Sequence, residues 1–379
     1  MRPVLQGGDI MHSVSVIICT RNRPEHLQKC VASILKQSVK PQEIIIVDDA
    51  SDERIDVAQM LNHIFSSIHS KVVNLLSENI DIKYVRNGHK QGIARARNLG
   101  IAAAKGNVIA FIDDDGYAHR NWIKSLMKHY RIGGVIGVGG PVVEVGRHVE
   151  TKNKTKRLAY ITRHGDIKHN YRVRKFMDTK NLHCESVKFL MGGNMSFRRD
   201  ILLKTHGFNA QYKGNHYREE TDMCMRVSRL GKIIFEPAAV AYHNSARHGG
   251  TRNITHMEKF IYWYFRNTIL LFFWHFSFKD AAIKTWHQYR KYVKGARNGT
   301  IKTNRDYLIV SAPFKILIAI LTGTITGIAA GIIFDKHLKK LMYKHPEYAT
   351  LITVALIGTT FHIIDHGAIS NIAKYFDKL

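Results

Sequence analysis

Acidic residues are scarce in this chain: 30 Asp and Glu stand against 57 Lys and Arg, giving a formal net charge of +27. A chain so unbalanced calls for a polyanionic neighbour, and nucleic acid, anionic lipid and phosphorylated substrates all qualify. Cysteine is scarcer still. The four cysteines, Cys19, Cys30, Cys184 and Cys224, form no CxxC pair and no disulfide framework, which favours a reduced, cytosolic-facing domain over a stapled secreted one. No apolar leader precedes Val14, and Val14–Cys19 is too short for the core of a signal peptide. The 379 residues leave room for a large α/β domain with an appendage and an ample core.

What is present centres on residues 107–116. Val108 to Ile112 is a short continuous apolar run that stops in Asp113-Asp114-Asp115-Gly116. Such a run suits a strand buried on both faces of a parallel sheet, and ligands of open α/β sheets bind at the carboxyl ends of such strands. In extended chain Asp113 and Asp115 project to one side and Asp114 to the other. Two carboxylates on one side are enough to hold Mg²⁺ or Mn²⁺. The alternative is a solvated turn whose last Asp caps a helix near Tyr117.

Two further segments feed the same edge. Val14–Cys19 reads as a buried strand followed by the polar turn Thr20-Arg21-Asn22-Arg23-Pro24, then by a helix with Leu27, Val31, Ile34 and Leu35 on one face. Glu43–Val47 is a second strand ending in Asp48-Asp49. Strand, helix, strand over this length is a βαβ unit with parallel pairing. After a third strand at Ile82–Val85, Asn87 to Gly100 combines a glycine-bearing loop with a small-residue helix that can lie close to a sheet.

Taken in order, Val16-Ile17-Ile18-Cys19-Thr20-Arg21-Asn22-Arg23-Pro24, Ile46-Val47-Asp48-Asp49-Ala50-Ser51, Gly92 to Gly100 and Phe111-Ile112-Asp113-Asp114-Asp115 resemble the family-2 glycosyltransferases. The resemblance continues through Leu190-Met191-Gly192-Gly193-Asn194, Arg218-Glu219-Glu220-Thr221-Asp222 and Val240-Ala241-Tyr242-His243, covering about residues 13–275. It implies an α/β GT-A fold and an inverting transfer from a nucleotide sugar. Residues 13–140 form the donor-binding half and 141–258 the acceptor half. It also implies roles. Thr20, Arg21, Asp48, Asp49, Arg97 and Asp114 meet the donor; Asp113, Asp115 and His243 hold Mg²⁺ or Mn²⁺; and Glu220, with Glu219 in reserve, is the base. One departure is clear: the family's Glu-Asp pair is Glu219-Glu220 here. A structural role competes at several positions. His243 also fits a satisfied structural histidine, Arg97 a partner of a buried Asp, and Asp222 a partner of a nearby Arg. A uridine donor is expected, because Asp49 can accept the uracil N–H and the family commonly uses UDP-sugars.

Residues 259–379 read as a membrane-associated appendage. Glu258 to Phe278 is dense in aromatics, as an interfacial helix would be, with a core helix as the alternative. Ile316 to Phe334 is uncharged, meets the roughly 20 residues a spanning helix needs, and carries Gly323, Gly327 and Gly331 in a small-xxx-small ridge. Ala349–Ile364 is a second, shorter apolar run. The basic flank before Ile316 places the catalytic domain on the cytoplasmic side of the cell membrane. Between the two halves, residues 145–182 are rich in Lys, Arg and His, fitting either a solvated connection or a flap over the acceptor. The acceptor expected is a membrane-linked glycan or lipid. Rival readings are a basic nucleic-acid-binding protein, disfavoured by the lack of a binding motif, and a nucleotidyltransferase using the same paired carboxylates.

Overall fold

The computed structural model describes residues 13–66, 80–145, 158–169, 172–173, 176–244, 246, 249–250, 257–297, 300–302, 307–309, 320 and 322–328. Strand β1 (Val14–Thr20) is buried along nearly its whole length and sits between β2 (Glu43–Asp48) and β4 (Val108–Asp113), both parallel to it. A strand covered on both faces can be apolar throughout, which accounts for the unbroken runs in all three. The registers pair Thr20 with Asp48 and Cys19 with Asp113. The polar residues ending each run therefore reach one edge together.

Helix α1 (Pro24–Leu35) opens on a proline, whose missing N–H costs nothing in a first turn. It buries Leu27, Cys30, Val31, Ile34 and Leu35. Helix α2 (Val57–Ser66) leads towards the edge strand β3 (Asp81–Arg86), and α3 (Ile93–Ala103) returns to β4. Gly100 of α3 lies so close to the sheet that a Cβ there would stand 2.7 Å from Ile17 Cγ2. The small residues of this helix thus serve its approach to β1 and β2.

Beyond β4 come β5 (Gly116–Ala118), α4 (Trp122–Met127), β6 (Val135–Gly139) and β7 (Val142–Glu144). Three short strands follow, β8 (Ala159–Ile161), β9 (Ile167–His169) and β10 (Arg172–Val173). The chain continues through β11 (Glu185–Val187), β12 (Asn194–Arg198), α5 (Arg199–Lys204), α6 (Glu219–Val227), β13 (Lys232–Phe235) and β14 (Ala241–His243). The main sheet runs β11-β13-β6-β12-β4-β1-β2-β3, and a smaller one runs β10-β7-β14-β5. β12 is antiparallel to both its neighbours, β4 and β6. Residues 13–140 and 141–258 therefore share one sheet.

A second compact unit comprises residues 161–168, 211–218 and 254 onward. Its long helices are α7 (Met257–His275) and α8 (Phe278–Arg297), followed by the short strands β15 (Thr300–Lys302) and β16 (Tyr307–Ile309). The aromatic stretch expected to lie in a membrane interface is instead a core helix. Ile261, Tyr264 and Phe265 of α7 pack with Tyr292 and Ile320, and Ile269, Phe272 and Phe273 pack with Ala281. Among the described residues no helix is long and apolar enough to cross a membrane. Of the stretch 316–334, only Ile320 and residues 322–328 are described, and they are helical. Within them a Cβ on Gly323 would meet the Tyr262 carbonyl oxygen at 2.5 Å, and one on Gly327 the Arg266 oxygen at 2.7 Å. These two glycines thus let the segment lie directly on the backbone of α7. The run 349–364 lies outside the described residues, as does most of 145–182.

Candidate active site

Asp113 closes β4, Asp115 stands in the turn after it, and His243 closes β14. Ligand atoms of all three lie within 4.8 Å of one another. The register of the small sheet explains the convergence, since His243 pairs with Gly116 on one side and with Glu144 on the other. His243 Nε2 is 3.2 Å from Asp115 Oδ1, and Nδ1 is 3.0 Å from Glu144 Oε2. Burial opposes a charge on His243, but its bonds to Asp115 and Glu144 outweigh that and hold its pKa up at about 9. Asp115 is further fixed by the Ala246 amide, which donates to Oδ2 at 2.9 Å. Two carboxylates and an imidazole whose far nitrogen is tied to an acid form a donor set suited to a divalent cation. Gly193 keeps the space beside it clear, because a Cβ there would stand 2.6 Å from Asp113 Oδ2.

Asp114 stands outside this set of three and is turned to the β1 side. It accepts from Thr20 Oγ1 and from Arg23 Nη1, each at 2.8 Å. Arg23 also reaches Asp115 Oδ2 at 3.3 Å and the Gly249 carbonyl at 3.0 Å. Thr20, Asp114 and Arg23 thus brace the carboxylate cluster from the β1 side.

Arg97 of α3 is 4 % exposed and joins the two candidate carboxylate groups. It forms an ion pair with Glu219, lies 3.3 Å from Asp113 Oδ1, and donates to the Gly192 carbonyl at 3.1 Å. The guanidinium rests over the rings of Phe208 and Phe111. With these partners Arg97 is the companion of buried acids. Burial pushes the Glu219 carboxyl up while Arg97 pulls against it, and Glu219 Oε2 has no hydrogen-bond partner among the described residues. Its neighbour Glu220 is half-buried at the start of α6, whereas the ion pair with Arg97 is made by Glu219, so the two glutamates have different surroundings. Asp222 pairs with Arg226 at 2.9 Å one turn on, the structural role the sequence favours.

The second strand end is held internally. Asp48 is fully buried and accepts from Ser51, Tyr84 and Arg86. Asp49 accepts from Asn87 Nδ2 and from the Gln91 and Gly92 amides, so it ties the β2 end to the start of α3. Arg21 donates to the carbonyls of Asp49 and Ala50. Asp48 and Asp49 are therefore both held by protein partners, and Arg21 fastens the loop between them and β1.

Sequence reasoning passed over Glu144 and left Arg23 without a role. Glu144 ends a three-residue strand, too short for period-two patterning to mark it, and only the pairing with β14 reveals its place. Arg23 stood within the quoted turn, and only the fold shows that it turns back onto Asp114.

An open, mostly parallel α/β sheet with an acid-acid-imidazole cluster at its carboxyl edge defines a GT-A-like glycosyltransferase. The chain belongs to glycosyl transferase family 2, matched over residues 15–205, and the nucleotidyltransferase alternative falls with that assignment. It is 29 % identical to the glucosyl-dolichyl phosphate glucuronosyltransferase of Haloferax volcanii, over 61 % of this chain and 68 % of that protein. It is 26 % identical to chondroitin synthase of Escherichia coli over 62 % of this chain, which spans only 35 % of that relative. Among solved structures, S. aureus TarS 1-349 in complex with UDP-GlcNAc aligns with a TM-score of 0.51 at 16 % identity, covering 92 % of this chain and 89 % of the other. GalNAc-T7 with UDP, GalNAc and Mn²⁺ aligns with a TM-score of 0.51 at 16 % identity, over 90 % and 58 % of the two chains. These structural likenesses show the shared fold.

Proposed function

We propose that this glycosyltransferase moves a sugar from a nucleoside diphosphate donor to a hydroxyl by direct displacement with inversion. Asp113, Asp115 and His243 hold Mn²⁺ or Mg²⁺, and Glu220 is the base. The observation that carries the reading is the convergence of those three ligands at the sheet edge, with Glu144 fixing the imidazole behind them. When bound, the cation supplies Lewis-acid stabilisation to the departing diphosphate. The protein's own groups do the rest. Thr20 and Arg21 belong to the donor side, and Asp49, once released from one of its present donors, would accept a uracil N–H. Arg97 keeps Glu219 and Asp113 in place. Glu220, less encumbered than Glu219, takes the acceptor proton.

A uridine donor and a membrane-linked glycan or lipid acceptor are part of the same reading. The Haloferax relative is named for a glucosyl-dolichyl phosphate, and a net charge of +27 suits an anionic bilayer surface. Phe278, Ile283 and Trp286 of α8 are exposed at 61 %, 42 % and 57 %, in a helix that also carries Lys279, Arg290, Lys291 and Lys294. That combination favours attachment at a membrane surface, with the catalytic domain on the cytoplasmic face. A donor screen tests the assignment: purified protein, Mn²⁺ and a panel of nucleotide sugars, read by calorimetry and slow donor hydrolysis. UDP-sugar binding that weakens in Asp49→Ala is expected; binding of GDP-sugars alone overturns the uridine reading. Flotation of the full chain with vesicles containing anionic lipid tests the membrane part, and a chain that stays with the soluble fraction refutes it.

A further inference from the structure

The sheet carries a second group of ligand atoms, three strands along from Asp113. β11 pairs with β13 so that Glu185 faces Phe235. The residues one step beyond, Cys184 and Glu236, therefore leave the sheet side by side. The turn after α4 brings His129 to the same place, with Nε2 2.5 Å from Glu236 Oε2. One donor atom from each of His129, Cys184 and Glu236 lies within 4.8 Å of the other two. His129 and Glu236 are buried and Cys184 is exposed. The Ala238 amide donates to Glu236 Oε1 at 2.9 Å, which orients Oε2 towards His129. Lys128 stands 3.8 Å from Oε2, but its side chain is 72 % exposed and can swing into water.

We propose that His129, Cys184 and Glu236 form a zinc site, separate from the cluster at Asp113, with water completing the coordination. The reasons lie in the donor set and the burial. One imidazole nitrogen, one thiolate and one carboxylate oxygen match the preference of Zn²⁺ for mixed N, S and O ligands, and three protein ligands leave the fourth position to solvent. Mg²⁺ does not take sulfur, so the chemistry discriminates this site from one built of carboxylates alone. Binding releases the thiol proton, and the neutral His129 imidazole carries its one hydrogen on Nδ1 so that Nε2 is free to ligate. The two side chains then part to about 3.3 Å, the spacing that tetrahedral coordination with bonds near 2.05 Å demands. Exposed Cys184 has room to follow. The ion would clip the residue that leads into edge strand β11 to the end of β13 and to the α4 turn, reinforcing the edge of the sheet farthest from β3.

Cobalt titration of the metal-free full-length protein tests the site, because a thiolate-to-cobalt charge-transfer band in the near ultraviolet arises only when sulfur is a ligand. The cluster of Asp113, Asp115 and His243 cannot produce it. One equivalent of Co²⁺ is expected to give the band, and Zn²⁺ to abolish it by displacement. Cys184→Ser, at an exposed position where the fold tolerates the change, should lose the band entirely, and His129→Gln should weaken cobalt binding at least tenfold. Absence of the band in the wild-type protein at saturating Co²⁺ overturns the proposal, as does a band that survives in Cys184→Ser. Neither result depends on the donor or on the base assigned above.

Discussion

Glu144 Oε2 accepts the Nδ1 hydrogen of His243 at 3.0 Å, and this bond decides which ring nitrogen faces Asp115. An acid behind a ligating histidine fixes its tautomer and raises its basicity. Glu144→Ala is therefore expected to weaken Mn²⁺ binding by about 10–100-fold, with the fold retained. Calorimetric titration of the metal, beside far-ultraviolet circular dichroism, checks both halves of the statement. Unchanged Mn²⁺ affinity would mean that His243 is not a ligand.

Asp115→Asn preserves shape and removes the charge. With the asparagine oxygen turned to accept from the Ala246 amide as Asp115 Oδ2 does, the turn should hold, while transfer falls by about 10²-fold or more through lost stabilisation of the leaving group. Activity with and without excess EDTA supplies the comparison. A wild-type enzyme that turns over fully in EDTA removes the cation from the mechanism.

The paired glutamates should separate cleanly. Glu220→Gln is expected to lower turnover by about 10²–10⁴-fold, the usual contribution of a general base, and to leave donor affinity and melting temperature near wild type. Glu219→Leu leaves the buried Arg97 guanidinium with only the more exposed Asp113 as its acid, so its main effect is a loss of stability of up to about 3–5 kcal/mol. Urea denaturation of both variants distinguishes them. A stable Glu219→Leu protein with dead chemistry would reverse the two roles.

At the opposite end of β2, Glu43 is fully buried. Burial favours its neutral form, but bonds from Lys83, Ser15 and the Lys105 amide prevail and hold the carboxyl below its usual range. A depressed folded-state pKa adds stability that is complete above the unfolded value near ~4.3 and is lost as pH falls through the folded one. The wild type should therefore lose stability more steeply below about pH 4 than Glu43→Gln does. At neutral pH the variant should be weaker by about 1–3 kcal/mol. Denaturation curves at several pH values between neutrality and pH 3 give both quantities.

Gly327→Val introduces a branched side chain where even a Cβ would stand 2.7 Å from the Arg266 carbonyl oxygen. Overpacking of this kind costs about 1–3 kcal/mol. Limited proteolysis of the second compact unit should show faster cleavage within α7 than in the wild type.

Much of the donor side was legible because strands buried on both faces leave continuous apolar runs, and their ends announce themselves as Asp48-Asp49 and Asp113-Asp114-Asp115. Asp113 and Asp115 do group together beside His243, with Asp114 left to Thr20 and Arg23, but through the turn that follows β4 and not through strand alternation. Side-chain commitments were less visible. Nothing local shows that Asp48 is occupied by Tyr84 and Arg86 from the neighbouring strand, or that Glu144 stands behind His243, since both depend on register between distant segments. The aromatic helix α7 misled for a different reason. Tyr and Trp suit a headgroup zone and a packed interior equally well, and the choice was made by Tyr292 and Ile320, more than 25 residues further along the chain.

Arg97 also limits how this enzyme can be recombined. A chimera joined near residue 140, taking residues 13–140 from one parent and 141–258 from another, would sever the pair between Arg97 and Glu219 unless both parents supplied matching partners. The same cut would seat a foreign β12 between native β4 and β6, asking three strands from two sources to agree in packing. Replacing whole halves is thus the costly route. Substitutions confined to the surface around Glu220, which leave the Arg97 network intact, are the tractable one.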